Sequence, residues 1–210
     1  WVQITTDTPD IQTGGTRGLF GGGEPTTDTI DYINIATTGN ATDFGNLSQS
    51  RQLPGGVADR SRACFGGGRT PSTVDTIDFV TIASTGNATD FGNLTGVRKQ
   101  LTALSNQTRG IFAGGYTPTA QNNIQSIEIA SQGNAVDFGN LLAAAYGGAA
   151  TSSSVRGVIM SGYASGTVNT VQYITISTTG NAQDFGDLTG ARYYPATAFN
   201  STRSVFGGGN

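Results

Sequence analysis

The motif of this chain that most resembles a known catalytic motif is the tripeptide Asp-Phe-Gly, which occurs four times. The four copies lie at 43–45, 90–92, 137–139 and 184–186, so the interval is 47 residues each time. In protein kinases the aspartate of this motif binds the magnesium ions of phosphoryl transfer. Here the motif recurs without a catalytic-loop motif and without a helix to carry a paired glutamate. We therefore predict that each Phe packs between repeats and that each Gly permits a bend or bulge.

The chain also lacks the residues that other common types of catalytic site require. The chain has no histidine, which excludes Ser-His-Asp triads, Cys-His pairs and imidazole metal sites. The only glutamates are Glu24 and Glu128, and most aspartates recur at equivalent positions, which is unlike the carboxylate pair of a glycosidase. Each Gly-Asn-Ala-Thr-Asp turn offers one carboxylate, too few for a good calcium site. We predict a protein that is not an enzyme, with no catalytic residue, no metal and no cofactor.

The amino-acid composition excludes some classes of binding partner. Charged residues make up 12% of the 210 residues, the net charge is -3, and Lys99 is the single lysine. Gripping a phosphate backbone needs several basic groups on one face, and no dense basic run occurs here. No apolar stretch approaches the ~20 residues that cross a bilayer. The sequence predicts no nucleic-acid partner and no membrane insertion.

The 47-residue period indicates one supersecondary unit repeated along a single domain, 1–210. In the second unit, segments 62–68, 76–82, 90–94 and 100–104 have the alternation and the β-branched or glycine content of strands. Four antiparallel strands in ~47 residues are typical of a β-propeller blade. We predict an all-β fold, a β-propeller of four-stranded blades, with units at 16–61, 62–108, 109–155 and 156–202 and a closing partial blade of 203–210 plus 1–15.

The number of blades follows from counting. The glycine-ended strand occurs five times, but the Asp-Phe-Gly strand occurs four times. We expect five blades, the last shared between the N- and C-termini, with Trp1-Val-Gln-Ile4 as the completing strand that removes two free edges. Four blades with an overhanging strand, or a piece of a longer array, are the alternatives.

The order of these signals resembles that of kelch-type repeats. The first unit has Gly21-Gly22, then Tyr32, then Phe44 with Leu47, then Arg51, and the second unit repeats the series. The third unit departs from it, with Ile127 in place of the aromatic that Tyr32 supplies in the first unit. The resemblance implies a β-propeller. Two sequence motifs of the repeat are also similar to repeats of structural proteins of marine phages, cyanophages among them. They are Thr-Arg-Gly-(apolar)-Phe-Gly-Gly and Thr-Thr-Gly-Asn-Ala-Thr-Asp-Phe-Gly. This resemblance implies a virion component.

A recurring Arg, at five positions, and a recurring Asp, at four, predict a structural network between blades. A partly buried Asp needs a partner, and bidentate Arg pairing would supply one. We expect Asp–Arg pairs that link neighbouring blades, formed by Arg17, Arg62, Arg109, Arg156 and Arg203 with Asp43, Asp90, Asp137 and Asp184.

Two sets of loops change from unit to unit, and loops on a rigid scaffold are where recognition usually occurs. Tyrosine rings could stack on sugar faces, and charged side chains could supply polar contacts. The ligand candidates are Glu24, Arg69, Tyr116 and Tyr163 after the glycines, and Tyr146, Tyr193 and Tyr194 in the other set. A lectin would repeat the same residue at the equivalent positions of the first group, and this chain does not. Loops that vary because nothing constrains them are the alternative.

These patterns favour a non-enzymatic structural or adhesive β-propeller. We expect a phage virion component, in a tail, a fibre or a capsid surface, with a role in host-surface recognition. Its partners would be other virion or self subunits and a cell-surface glycan, and its location would be the virion or the extracellular space. A secreted multivalent lectin, in which repeated weak sites gain avidity, is the alternative.

Overall fold

The structure is a computed structural model that describes residues 16–160, 162–200 and 202–210. Within these ranges the chain forms nineteen strands and no helix. The described residues therefore contain no helix long and apolar enough to cross a membrane. The predicted completing strand, Trp1-Val-Gln-Ile4, and the rest of 1–15 lie outside the described residues.

The strands form five antiparallel sheets and one small ribbon. The first sheet has three strands, the next three sheets have four each, and the fifth is a hairpin. The sheets contain, in order, β1 (Arg17–Gly21), β2 (Thr27–Asn34) and β3 (Thr42–Arg51); β4 (Gly55–Ala58), β5 (Arg62–Gly66), β8 (Thr76–Thr81) and β9 (Thr89–Asn93); β10 (Thr102–Ser105), β11 (Arg109–Ala113), β12 (Asn123–Glu128) and β13 (Val136–Asn140); β14 (Ala149–Ser152), β15 (Arg156–Met160), β16 (Thr170–Thr175) and β17 (Gln183–Asp187); and β18 (Ala196–Phe199) and β19 (Ser204–Gly207). The ribbon pairs β6 (Arg69–Thr70) with β7 (Ser72–Thr73).

The predicted all-β fold with repeated antiparallel strands is confirmed. Each sheet after the first begins one strand earlier than the unit read from the sequence. Segment 100–104, interpreted as the last strand of its unit, contributes most of β10, and β10 pairs with β11 of the following unit. A sheet therefore joins the end of one sequence unit to most of the next.

The core lies between neighbouring sheets. One cluster joins Ile30 and Phe44 of the first sheet to Phe65 and Val80 of the second, all buried. The Phe of Asp-Phe-Gly is buried at three of its four positions, as predicted: Phe44, Phe91 and Phe138. Phe185 differs, because it is 56% exposed beside a groove of about 780 Å³ that separates the fourth sheet from β18–β19.

The predicted bulge at the Asp-Phe-Gly glycine is also confirmed. In the second sheet the register shifts between Ile77 and Asp78, opposite Gly92, whose φ is +144°. A Cβ atom at Gly92 would collide with the carbonyl oxygen of Gly133 in the next repeat. Glycine is required here both by its backbone conformation and by the close approach of a neighbouring chain segment.

Hydrogen bonds join each of the first three Asp-Phe-Gly strands to the Gly-Asn turn of the next repeat. The amide of Gly86 donates to the carbonyl of Phe44 (2.7 Å), and the amide of Asn46 donates to Asn87 Oδ1 (3.1 Å). Equivalent bonds occur at the next two junctions, through Gly133 and Asn134 and through Gly180 and Asn181. Asn at this position thus bonds a neighbouring repeat as well as shaping a turn.

The predicted Asp–Arg pairs are wrong for the residues that the structure describes. The repeated arginines instead donate across the junction to backbone carbonyls: Arg17 to Ile82, Arg62 to Ile129 and Arg109 to Ile176, at 2.7–3.1 Å. The guanidinium of Arg156 lies over the ring of Tyr173, and no contact of the Arg203 guanidinium with an acidic group occurs within the described ranges. Asp43, Asp90, Asp137 and Asp184 are all exposed, so water satisfies their carboxylates and no buried partner is needed.

The loop that follows the glycines has two lengths. Glu24 lies six positions before Ile30, whereas Arg69 lies eight positions before Ile77. Both isoleucines are fully buried and occupy the same place in their sheets. The strand after the loop is therefore positioned independently of the loop length.

Candidate functional site

Antiparallel pairing gives each sheet two ends that differ in character. The Gly-Asn turns lie at one end, between the last two strands of a sheet. The loops that follow β5, β11 and β15, and the segments that precede β10, β14 and β18, lie at the opposite end. We call these the turn end and the tyrosine end. The two variable loop sets, treated as separate surfaces in the sequence, share the tyrosine end.

Paired bridges join the two loop sets at the tyrosine end. Lys99 pairs with Tyr116 and Tyr146 with Tyr163, in each case through two backbone hydrogen bonds. The same pairing occurs in the neighbouring repeats, between Gln52 and Arg69 and between Tyr193 and Asn210. Each bridge places one residue from the segment before a sheet's first strand beside one from the loop after its second strand.

Five tyrosines of this end form a continuous series, which we call the tyrosine row. Ring centroids are 5.1 Å apart for Tyr116 and Tyr146, 5.5 Å for Tyr146 and Tyr163, and 5.7 Å for Tyr163 and Tyr193. Tyr194 ends the row at 4.9 Å from Tyr193. The contacts are edge-on or tilted, the arrangement that aromatic quadrupoles favour. Four of the rings are half-buried and Tyr194 is 44% exposed.

The residues next to the bridges form a chain of backbone hydrogen bonds across four repeats, which we call the collar. Gln100 N–H donates to Leu53 O, Gly147 N–H to Gln100 O, and Tyr194 N–H to Gly147 O. All four have φ of 52–62°, in the left-handed region. That conformation costs a non-glycine residue roughly 1–2 kcal/mol, so the inter-repeat bonds must offset strain at Leu53, Gln100 and Tyr194.

The collar also positions Tyr194. Its ring packs on Gly147, where a Cβ atom would overlap the ring carbons. Its hydroxyl accepts a hydrogen bond from Gln100 Nε2. Gly147 therefore provides the space that lets a tyrosine of one repeat reach the glutamine two repeats earlier.

The row combines neutral phenols with a neighbouring cation, Lys99. Burial, and then the neighbouring tyrosines, raise the pKa of Tyr146 and of Tyr194 above the ordinary value. Phenols are protonated at neutral pH even without this shift, which extends the protonated range to higher pH. The Lys99 ammonium lies 5.6 Å from the centroid of the Tyr116 ring. Over the described ranges the ion pairs are Arg51–Asp78 and Arg109–Glu128, so Lys99 belongs to none.

A cavity of about 340 Å³ lies along the first strands of the sheets. Residues from all five sheets line it, including Arg17, Gly56, Ala103, Ala150 and Phe199. Most of its strand residues are small. Hydroxyl groups link neighbouring strands beside it: Ser105 Oγ donates to Ala58 O at 2.8 Å, and Ser152 Oγ donates to Ser105 O at 2.7 Å.

The structure brings most of the predicted ligand residues together. Tyr116, Tyr146, Tyr163, Tyr193 and Tyr194 form the row, and Arg69 occupies the position of Tyr116 one repeat earlier. Glu24 is exposed in the first repeat, and no ion pair of the described residues includes it.

Sequence reasoning missed Lys99, Gln100 and Gln52 as members of this end. A signal was present, because the two residues of every bridge are separated by seventeen positions, as in Lys99 and Tyr116. A constant separation inside a repeat indicates that the two loops meet in the same way each time.

Other reactive groups offer little chemistry. Burial raises the pKa of the Cys64 thiol to about 12, so it stays protonated and inert. Over the part of the chain that the structure describes, no three His, Cys, Asp or Glu side chains gather into a metal site. The tyrosine end is therefore the strongest candidate for function.

Comparison with models of known protein families gave no match, and comparison with curated proteins gave none either. The function is therefore argued from the chemistry of the tyrosine end. The kelch and phage resemblances remain expectations carried by the repeat motifs.

Proposed function

We propose that this chain is a non-enzymatic structural and adhesive module that recognises a surface through its tyrosine end. The tyrosine row carries this proposal. Five partly exposed aromatic side chains from three neighbouring sheets meet in one series, beside a lysine that pairs with no carboxylate of the described residues. Tyrosine supplies large contact area at low entropic cost and is enriched where proteins bind partners.

The proposed scaffold is a β-propeller of five blades. The cavity supports it, since residues of all five sheets can line one space of this size only if the sheets curve around a common axis. The collar supports it too, because hydrogen bonds between equivalent residues of successive repeats bring those residues close together. A last blade shared between the two termini, and the rival with four blades, belong to the same proposal.

We further propose that the module is a virion component with a role in host-surface recognition. The lysine-poor surface, rich in Gly, Ser, Thr and Asn, and the resemblance to phage repeats support this assignment. The row also weighs against a multivalent lectin, which would present one similar site per repeat. Here the paired positions hold two tyrosines only at Tyr146–Tyr163 and differ elsewhere, which favours one composite site.

The test compares adhesion of three proteins to intact host-type bacterial cells and to purified cell-surface glycans. The first is the unaltered chain, the second carries Tyr146→Ala and Tyr163→Ala, and the third carries Tyr173→Ala at the turn end. We expect the row variant to lose adhesion and the control to keep it. Equal adhesion of the unaltered chain and the row variant, both folded by circular dichroism, would contradict a recognition role for the tyrosine end.

A further inference from the structure

On the basis of the recognition role proposed above, we propose that the tyrosine row and Lys99 form a site for an acidic saccharide. A sugar ring would stack on the exposed faces of Tyr146 and Tyr163, and the sugar carboxylate would bind the Lys99 ammonium. Arg69, at the equivalent bridge position one repeat earlier, would extend the cationic side of the site.

The aromatic part of the site suits a sugar face. The Tyr146 and Tyr163 rings are tilted by 45° and not stacked face to face, so neither fully covers the other. Both are half-buried, which fixes their orientation while leaving ring surface accessible. A pyranose presents a face of C–H groups, and burying it on an aromatic ring gains hydrophobic area without placing its hydroxyls in an apolar pocket.

The polar part of the site is neutral and carries mixed donors and acceptors. The phenols of Tyr146 and Tyr194 are neutral at physiological pH, as ordinary tyrosines are, and an amide side chain, Gln100, bonds Tyr194. Among the described residues no row member bonds a carboxylate. Neutral hydroxyl and amide groups match the many hydroxyls of a saccharide, each of which is both donor and acceptor.

The Lys99 ammonium is the feature that favours an acidic saccharide over a neutral one. Lys99 is the only lysine of a chain whose net charge is -3, and it lies at the edge of the row, over Tyr116. An ammonium has three N–H donors, and a ring face satisfies none of them as a hydrogen bond. The exposed Arg69 uses its Nε on Pro71 O, which leaves its terminal nitrogens to face solvent. A carboxylate would accept charge-assisted hydrogen bonds from such a group.

The experiment is a calorimetric titration of the full chain with matched probes, sialyllactose against lactose and a uronic-acid oligosaccharide against its carboxyl-reduced form. We expect an acidic probe to bind at least tenfold more tightly than its neutral counterpart. Lys99→Gln should remove that preference, and Lys99→Arg should keep it. Tyr163→Ala should abolish binding of both members of a pair, whereas Tyr173→Ala should change nothing.

The outcomes separate this inference from the proposed function. Equal binding of acidic and neutral probes, or an unchanged preference in Lys99→Gln, overturns the acidic class but leaves a saccharide site. No binding of any probe by the folded chain overturns the saccharide inference. In that case the cell-adhesion comparison still tests the recognition role on its own, since a row variant that adheres normally would contradict that role independently.

Discussion

The turn end and the tyrosine end of the sheets differ in how far their residue types recur from repeat to repeat. At the turn end, Gly86-Asn87 and its two equivalents keep both residue types and the same hydrogen bonds at three junctions. At the tyrosine end the bridge geometry is kept, but the paired residues change from Gln52–Arg69 to Lys99–Tyr116. Residues recur where a neighbouring backbone demands a particular side chain, and they diverge where only the backbone is bonded. Divergence over a constant backbone is therefore consistent with the proposal that the tyrosine end carries recognition.

The buried polar contacts between neighbouring sheets are less constant than the turn end and less variable than the tyrosine end. Asp78 Oδ2 accepts from the amide of Ser48 and pairs with Arg51 at 2.8 Å, with both side chains fully buried. At the next junction Gln125 Oε1 accepts the equivalent bond from the amide of Thr95, and Arg98 binds Asn123 Oδ1 instead. The last junction keeps the glutamine, Gln172, but has Ala145 in place of the arginine. The fold requires the acceptor oxygen and tolerates the loss of the charge.

Breaking the buried pair should have the largest effect. Arg51→Ala leaves the Asp78 carboxylate buried without its cation, and we expect a loss of about 3–5 kcal/mol in the free energy of unfolding. Adding Asp78→Gln recreates the arrangement of the last junction and should restore most of that loss. Urea unfolding of the single and double variants measures both. A double variant no more stable than Arg51→Ala would show that the three junctions are not interchangeable.

Next in size is the Asp-Phe-Gly glycine. Gly139 has a φ of +151°, and a Cβ there would strike the carbonyl of Gly180, whereas Gly133 has a φ of +155° with open space around it. Gly139→Ala should cost about 2–4 kcal/mol from backbone strain and overlap, and Gly133→Ala only about 1–2 kcal/mol from strain. Thermal and urea unfolding provide the comparison. Equal losses in the two variants would mean that close packing at the turn end does not explain the glycine.

A smaller loss should follow removal of the repeated asparagine. Asn134→Ala deletes the acceptor of the Asn93 amide, a bond of 3.0 Å at an exposed position, and should cost about 1 kcal/mol. Asn87→Ala and Asn181→Ala should cost the same within a few tenths of a kcal/mol, because their bonds are equivalent. Clearly unequal losses would break the equivalence on which the comparison of the two ends rests.

The smallest effect concerns pH at the tyrosine end. Because the pKa of Tyr146 is raised in the folded state, its stabilising contribution is complete below the ordinary pKa of about 10 and is lost as the pH rises through the higher folded value. Stability should therefore fall above pH 10. The fall should be shallower in Tyr146→Phe, as measured by urea unfolding between pH 8 and 11. An identical fall in the variant would place the titrating group elsewhere.

Much of the fold follows from the sequence. The period, the strands, the bulge glycine and the burial of Phe44, Phe91 and Phe138 are local or periodic properties, and such properties are visible in a single chain. The site was only partly predictable, because Lys99 and Tyr116 come from loops that meet only once the strand order is known. The prediction of Asp–Arg pairs failed because recurrence at a fixed interval does not determine where the side chains point: the guanidinium of Arg109 reaches a carbonyl of the next repeat, while Asp137 faces water.

The two-residue difference between the loops after β1 and β5 has an evolutionary consequence. Ile30 and Ile77 hold the same buried place, so changing the number of residues between the glycines and that isoleucine leaves the sheet undisturbed. Insertions and deletions at these tips can therefore be sampled without first being compensated in the core. The tyrosine end thus acts as a platform on which peptides of different length can be exchanged, in nature or by grafting, while the strands beneath stay the same.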